Sequence, residues 1–192
     1  MKIRWPMWLM FAVQLTLLGI ELLTRYDTFP RQVALAITNV IGVGAIFWVN
    51  QWLLKRGRPF SIITLVFTLG GLWLDALGNF RHFYGGYWWW DHLTHGIGGI
   101  AITSAFIDLW SGWRRGRETV ISWWQATWIG LAFGQFLGAV YEVSEYLGDF
   151  WFKTHRVGLH FDTSRDLTFN LAGGLLIVLV RWLSRKRELP SR

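Results

Sequence analysis

Asp91-His92-Leu93-Thr94-His95-Gly96-Ile97-Gly98-Gly99-Ile100 opens a stretch that continues, largely apolar, to Trp110. One carboxylate and two imidazoles stand at its mouth. Asp91 and His95 are four residues apart and His92 and His95 three, so on a helix all three lean to roughly one side. About twenty mostly apolar residues are the length that crosses a bilayer. Ionisable groups at the end of such a span are costly and tend to be functional. The segment therefore predicts a membrane helix with a polar site at one end.

The rest of the chain agrees. Of 192 residues 53% are hydrophobic and 16% charged, and 15 are Trp, less charge and more aromatic content than a soluble domain carries. Six spans are expected, near 5–24, 32–54, 60–80, 91–110, 120–147 and 167–183, in one all-α polytopic bundle covering 1–192. The N-terminal apolar segment is read as a span, since its core is long and no A-x-A-like site follows. The absence of Cys excludes disulfides and thiolate metal sites.

Charge sets an expected orientation. Thirteen Lys and Arg residues, among them Lys55, Arg56, Arg58, Arg114, Arg115, Arg181 and Arg185, fall at the termini and in the second and fourth loops. Six (Arg25, Arg31, Arg81, Lys153, Arg156 and Arg165) fall on the other side. The positive-inside rule then places both termini in the cytoplasm. The net charge of +7 is accounted for by these short loops. No nucleic-acid motif accompanies it. Trp5, Trp8, Trp110, Trp113, Trp88, Trp89 and Trp90 read as interfacial belts.

On that topology the polar residues converge on the outer side. Asp75, Asn79 and His82 end span three, and Asp91, His92 and His95 begin span four. Glu142 and Glu145 end span five, and Asp162, Asp166 and Asn170 lead into span six. Glu21 of span one is a further candidate. The segment 148–166, with His155 and His160, is expected to be an outer loop folded onto the bundle. Gly130, Gly134 and Gly138 form a small-xxx-small ridge that lets helices approach closely. Glycine faces in four spans turn polar toward the outside, which predicts a polar cavity open outward and closed below. The inner halves carry few equivalents: Gln14, Asn50, Gln51, Asp108 and Gln125 are read as interfacial.

Two imidazoles among carboxylates suit zinc, iron or manganese rather than calcium or magnesium. The expected ligands are Asp91, His92, His95, Glu142, Glu145, Asp75, Asp162 and Asp166, supported by Asn79, His82 and Asn170. Glu142, Glu145 or Asp91 would serve as general base or acid. A plainer reading is structural: the carboxylates bond Arg81, Arg156 or Arg165, or cap helices.

The set formed by Asp91-His92-Leu93-Thr94-His95, Glu142-x2-Glu145 and Asp162-Thr163-x2-Asp166-Leu167-x2-Asn170-x2-Gly173 resembles the YjdF-like bacterial inner-membrane proteins over about Asp75 to Gly174. That resemblance implies a small polytopic membrane protein without an established activity. The Asp162–Gly173 segment is also similar to part of the VanZ-like proteins, which are linked to glycopeptide tolerance.

The expected function is a metal-dependent hydrolase acting on a membrane lipid or lipid-linked substrate. A transporter or channel for an ion or small polar solute, and a non-catalytic lipid- or cation-binding protein, are the alternatives. A transporter requires a continuous polar path, which the apolar inner halves argue against.

Overall fold

The computed structural model describes residues 5–23, 29–113, 122–158 and 161–188, all helix and connecting turn. Seven helices follow in order: α1 Trp5–Leu23, α2 Phe29–Lys55, α3 Ile62–Phe80, α4 Phe83–Gly86, α5 Trp90–Trp113, α6 Trp123–Phe152 and α7 Asp162–Glu188. The side chains of Glu21 and His160, and the basic residues at 114–117, lie outside the described residues. Among those described, Gln32–Lys55, Ile62–Phe80 and Asp162–Ser184 are long and apolar enough to cross a membrane.

Local chemistry sets the boundaries. Ser61 caps α3 by accepting from the Thr64 amide at 3.3 Å. Ser122 and Gln125 form a reciprocal capping box at the start of α6 (2.9 and 3.2 Å), satisfying two donors that a helix start leaves bare. The helix then runs for 30 residues, about 45 Å at 1.5 Å per residue, and passes the expected end at residue 147. It stops at Lys153, whose φ of 54° breaks the helical path. The segment expected as a loop over 148–166 is therefore helical at both ends, in the last turn of α6 and from Asp162 on, and Asp162 and Asp166 belong to the opening turns of α7. The four-residue α4 has no apolar period and was not expected.

The bundle is organised around α5, which packs chiefly against α7, then α6 and α3; α1 and α2 pack on each other and on α3. The α5–α7 approach is set by glycine. A Cβ on Gly99 would collide with the backbone carbonyl of Asn170, and one on Gly173 with the carbonyl of Gly96. Two backbones in such contact tolerate no side chain between them. The expected ridge on α6 also meets other helices: Gly130 and Gly134 face Thr103, and Gly138 faces the Asn170 side chain.

One expectation needs correction. The half of the bundle away from Asp91 is not poor in organised polar groups. Asp108 is joined to Arg181 at 2.7 Å, and it accepts from the Thr64 hydroxyl at 2.5 Å and the Ser61 amide at 2.9 Å. Arg181 also donates to Ser61, Thr64 and Ser104 at 3.0, 3.0 and 2.5 Å. Thr64 and Ser104 are fully buried. This network ties α3, α5 and α7 together. An ion pair this enclosed persists only when its remaining hydrogen-bonding atoms are also met, and the three hydroxyls meet most of them.

Candidate metal centre

Three helices deliver acids to one imidazole. The first turns of α5 carry Asp91 and His95, the second half of α6 carries Glu142, and the first turns of α7 carry Asp166. His95 Nε2 lies 3.5 Å from Asp91 Oδ1, 3.7 Å from Glu142 Oε1 and 3.8 Å from Asp166 Oδ1. His95, Glu142 and Asp166 are buried, the last at 1% exposure. No one of the three separations is a hydrogen bond. Glu142 Oε1 and Asp166 Oδ1 have no other hydrogen-bond partner among the described residues. Leaving a buried carboxylate oxygen unsatisfied costs on the order of 1–3 kcal/mol or more.

The spacing fits a cation between these atoms. Asp91, His95 and Asp166 each offer a ligand atom, all within 4.8 Å of one another. Four atoms around a tetrahedral ion with bonds of about 2.0–2.2 Å stand roughly 3.4 Å apart. The separations from His95 are slightly wider than that. An imidazole nitrogen among the oxygens favours zinc, iron or manganese over the all-oxygen preference of calcium and magnesium.

Behind the imidazole, the side-chain nitrogen of Asn170 stands 3.4 Å from His95 Nδ1, an arrangement in which Nδ1 accepts and Nε2 carries the hydrogen. Presenting the Nε2 lone pair to a metal requires the hydrogen on Nδ1, and so the oxygen of Asn170 turned toward the ring. The reverse orientation puts an Nε2–H among the carboxylates. The amide therefore selects the tautomer. Asn170 is 4% exposed and wedged against Gly138 and Gly98.

The other expected residues divide into groups. His92 turns away: its ring lies 4.7 Å from that of Phe169 and 6.0 Å from that of Trp88, centroid to centroid. Glu145 bonds Arg156 at 2.8 Å, one of the arginines the plainer reading pairs with these carboxylates. Asp75 accepts from Tyr84 at 2.6 Å and from Asn79 at 3.2 Å. These residues form a flank beside the His95 group. Asp162 accepts from the Gly158 amide at 2.7 Å, and His82 is exposed at the start of α4.

Tyr84, Tyr141 and Arg156 enlarge the set. Tyr141 precedes Glu142 and lies one turn from Glu145, a signal available in Tyr-Glu-x2-Glu. Tyr84 had none, because it reaches the site only through the unexpected turn of α4. Burial and the neighbouring Asp75 charge hold the Tyr84 phenol well above its ordinary value, so it stays a donor. Arg156 donates to Tyr141 and Glu145. Burial works against its charge, but Tyr141, Glu145 and Asp75 outweigh it and raise the guanidinium above its ordinary value. Asp75, Asp91, Glu142, Glu145, Asp162 and Asp166 thus gather at this end together with the buried guanidinium of Arg156.

A second carboxylate holds Arg156 in place. Asp149, in the last turn of α6, accepts from the Thr154 hydroxyl at 2.5 Å, the Arg156 amide at 2.8 Å and the Val157 amide at 2.8 Å. Burial pushes its carboxyl up, but the Thr154 hydroxyl, these amides and His155 outweigh it and set the value below the ordinary 3.8. A carboxyl lowered by folding stabilises above its unfolded value, and that support is lost as pH falls through the lower folded value. Relative to the intrinsic rate at each pH, amide exchange at Arg156 and Val157 should accordingly be slow above about pH 4 and accelerate below it. In Asp149→Asn it should be fast throughout, without the acid step. A variant exchanging like the parent protein would remove Asp149 as the clamp.

Fold and site together define an all-helical membrane protein with a buried Asp/His/Asp group at one end of its bundle. The chain belongs to the family described as predicted membrane protein (DUF2238), whose profile matches residues 3–187; this is the YjdF-like family expected from the motif set. No curated protein and no solved structure matches the chain. No match supports the VanZ-like likeness.

Proposed function

We propose that the protein is a metal-dependent membrane hydrolase whose substrate is a lipid or lipid-linked molecule. One observation carries the reading: a buried imidazole nitrogen faces carboxylates from three helices, two of them with oxygens that no other described residue satisfies. Asp91, His95, Glu142 and Asp166 would hold the ion. Zinc, iron or manganese would supply Lewis acidity and a water nucleophile at neutral pH. Glu145, one turn beyond Glu142 and oriented by Arg156, is the candidate base for that water. In this reading all six long helices span the bacterial inner membrane, both termini are cytoplasmic, and the centre faces outward. The exposed rings of Trp88, Trp151 and Phe161 then form an interfacial rim where a lipid headgroup enters.

The test uses purified protein with phosphatidylethanolamine and phosphatidylglycerol vesicles, with and without added zinc or manganese, and products read by mass spectrometry. Metal-dependent release of a lipid fragment that Glu145→Gln abolishes, with bound metal retained, is the expected result. Stoichiometric metal with no product from either lipid would favour the cation-binding alternative.

A further inference from the structure

At the end of the bundle away from His95, α2 passes to α3 through a turn that carries more charge than the fold uses. Lys55, Arg56 and Arg58 are exposed, and none of them forms an ion pair among the described residues. Asp108, at the same end, is taken up by Arg181. Lys55 suits the negative end of the α2 dipole, and the Arg56 guanidinium carbon lies 3.5 Å from the centroid of the Trp52 ring, a cation–π contact. Neither contact withdraws a cation from the surface.

The backbone of this turn is fixed. The Arg58 amide donates to the Leu53 carbonyl at 3.0 Å and the Gly57 amide to the Leu54 carbonyl at 2.9 Å, with Gly57 at a φ of 71°. This pair of bonds is the glycine-terminated Schellman stop of a helix. Beyond it the Phe60 amide donates to Asn50 Oδ1 at 2.9 Å, and Asn50 and Leu53 are fully buried. The cations are therefore presented from a rigid corner. The face of α2 that leads to it is apolar. Ile41, Trp48 and Lys55 follow one another at seven residues, two helical turns, and so lie in line. Ile41 is 65% exposed and Trp48 72%. From Ile41 to Lys55 is about 21 Å at 1.5 Å per residue, about half of a bilayer counted with its headgroups.

We propose that the Lys55–Arg58 turn binds the phosphate of an anionic phospholipid in the leaflet at that end of the bundle, with the acyl chains lying along the Ile41–Trp48 face of α2. The line of residues has the order of one lipid: cations at the phosphate, a Trp at the interfacial level, an isoleucine among the chains. A free anion or an acidic protein would engage the turn alone and make no use of the apolar line. Cations already held in place lose little freedom on binding. The lipid also bears on the packing of the bundle. A Cβ on Gly112 would collide with the Leu53 side chain and stand 3.8 Å from Arg58, so α5 ends against this turn. A ligand held there by the folded chain alone stabilises it by mass action. The site does not depend on the His95 centre or on hydrolysis.

The experiment titrates the full chain in dodecyl maltoside, as purified and without added metal, with phosphatidylglycerol or phosphatidylcholine. Native mass spectrometry counts bound lipid, and the unfolding temperature is recorded alongside. The parent protein should bind phosphatidylglycerol more tightly and be stabilised further by it. A cation near the surface contributes roughly fivefold in affinity. The Lys55→Gln/Arg56→Gln/Arg58→Gln variant should therefore lose on the order of 100-fold and with it the preference. Arg81→Gln/Lys153→Gln/Arg165→Gln removes the same charge from exposed positions at the other end and should keep the preference. Equal binding of the two lipids by the parent protein, or equal loss in both triple variants, overturns the site. Inorganic phosphate raising the unfolding temperature as far as phosphatidylglycerol does overturns the lipid as its occupant.

Discussion

His95→Ala is expected to empty the metal centre, while His92→Ala leaves it loaded. Elemental analysis after purification and dialysis against zinc or manganese should find a stoichiometric ion in the parent protein and in His92→Ala. It should find almost none in His95→Ala. The two histidines are three residues apart but differ in aim. His95 Nε2 faces Asp91, Glu142 and Asp166. His92 lies between aromatic rings. Losing a direct ligand should lower affinity by more than the roughly 10–100-fold that follows loss of an outer-shell partner. Unchanged metal in His95→Ala, or equal loss in both variants, would sink the assignment.

The largest stability effect is expected from Gly99→Ala. The added methyl lies on the Asn170 carbonyl, a backbone atom that no rotamer change removes. The cost should exceed the ~1–3 kcal/mol typical of overpacked cores, because α5 and α7 must separate along their whole contact. The same change at Gly44 or Gly70 meets nothing within 4 Å. There alanine should be neutral or stabilising by about 0.4–1 kcal/mol. Thermal unfolding in detergent compares the three. Gly99→Ala should also lose metal, since Asn170 and Asp166 move with α7. A Gly99→Ala protein as stable as Gly70→Ala would refute the close approach.

Helix identity was legible because long apolar runs leave few alternatives, and the position of the centre was legible because polar residues recur at matching ends of those runs. The selection within that set was not. Asp91 and His95 differ by about 40° around α5, whereas His92 and His95 differ by about 60°. That modest rotation separates the α6–α7 seam from the Phe169 ring. The roles of Glu145 and Asp162 depended on the backbone between α6 and α7, where a positive φ at Lys153 redirects the chain and brings Arg156 over Tyr141. The sign of φ at a lysine has no signature in the sequence. Asp108 looked interfacial because its partner, Arg181, lies 73 residues away and had been counted only as a loop charge.

The joining of α5 to α7 also sets a schedule for assembly. The His95–Asn170 contact closes over 75 residues, and α7 is the last described helix. Until α7 enters the bilayer, α5 presents a bare glycine groove and His95 lacks both Asp166 and Asn170. The centre is therefore complete only once α7 is in place. On the proposed reading, a chain stopped before Asp162 would lack Asp166 and Asn170 and should bind no metal at this site, so metal occupancy would double as a report that α7 had docked.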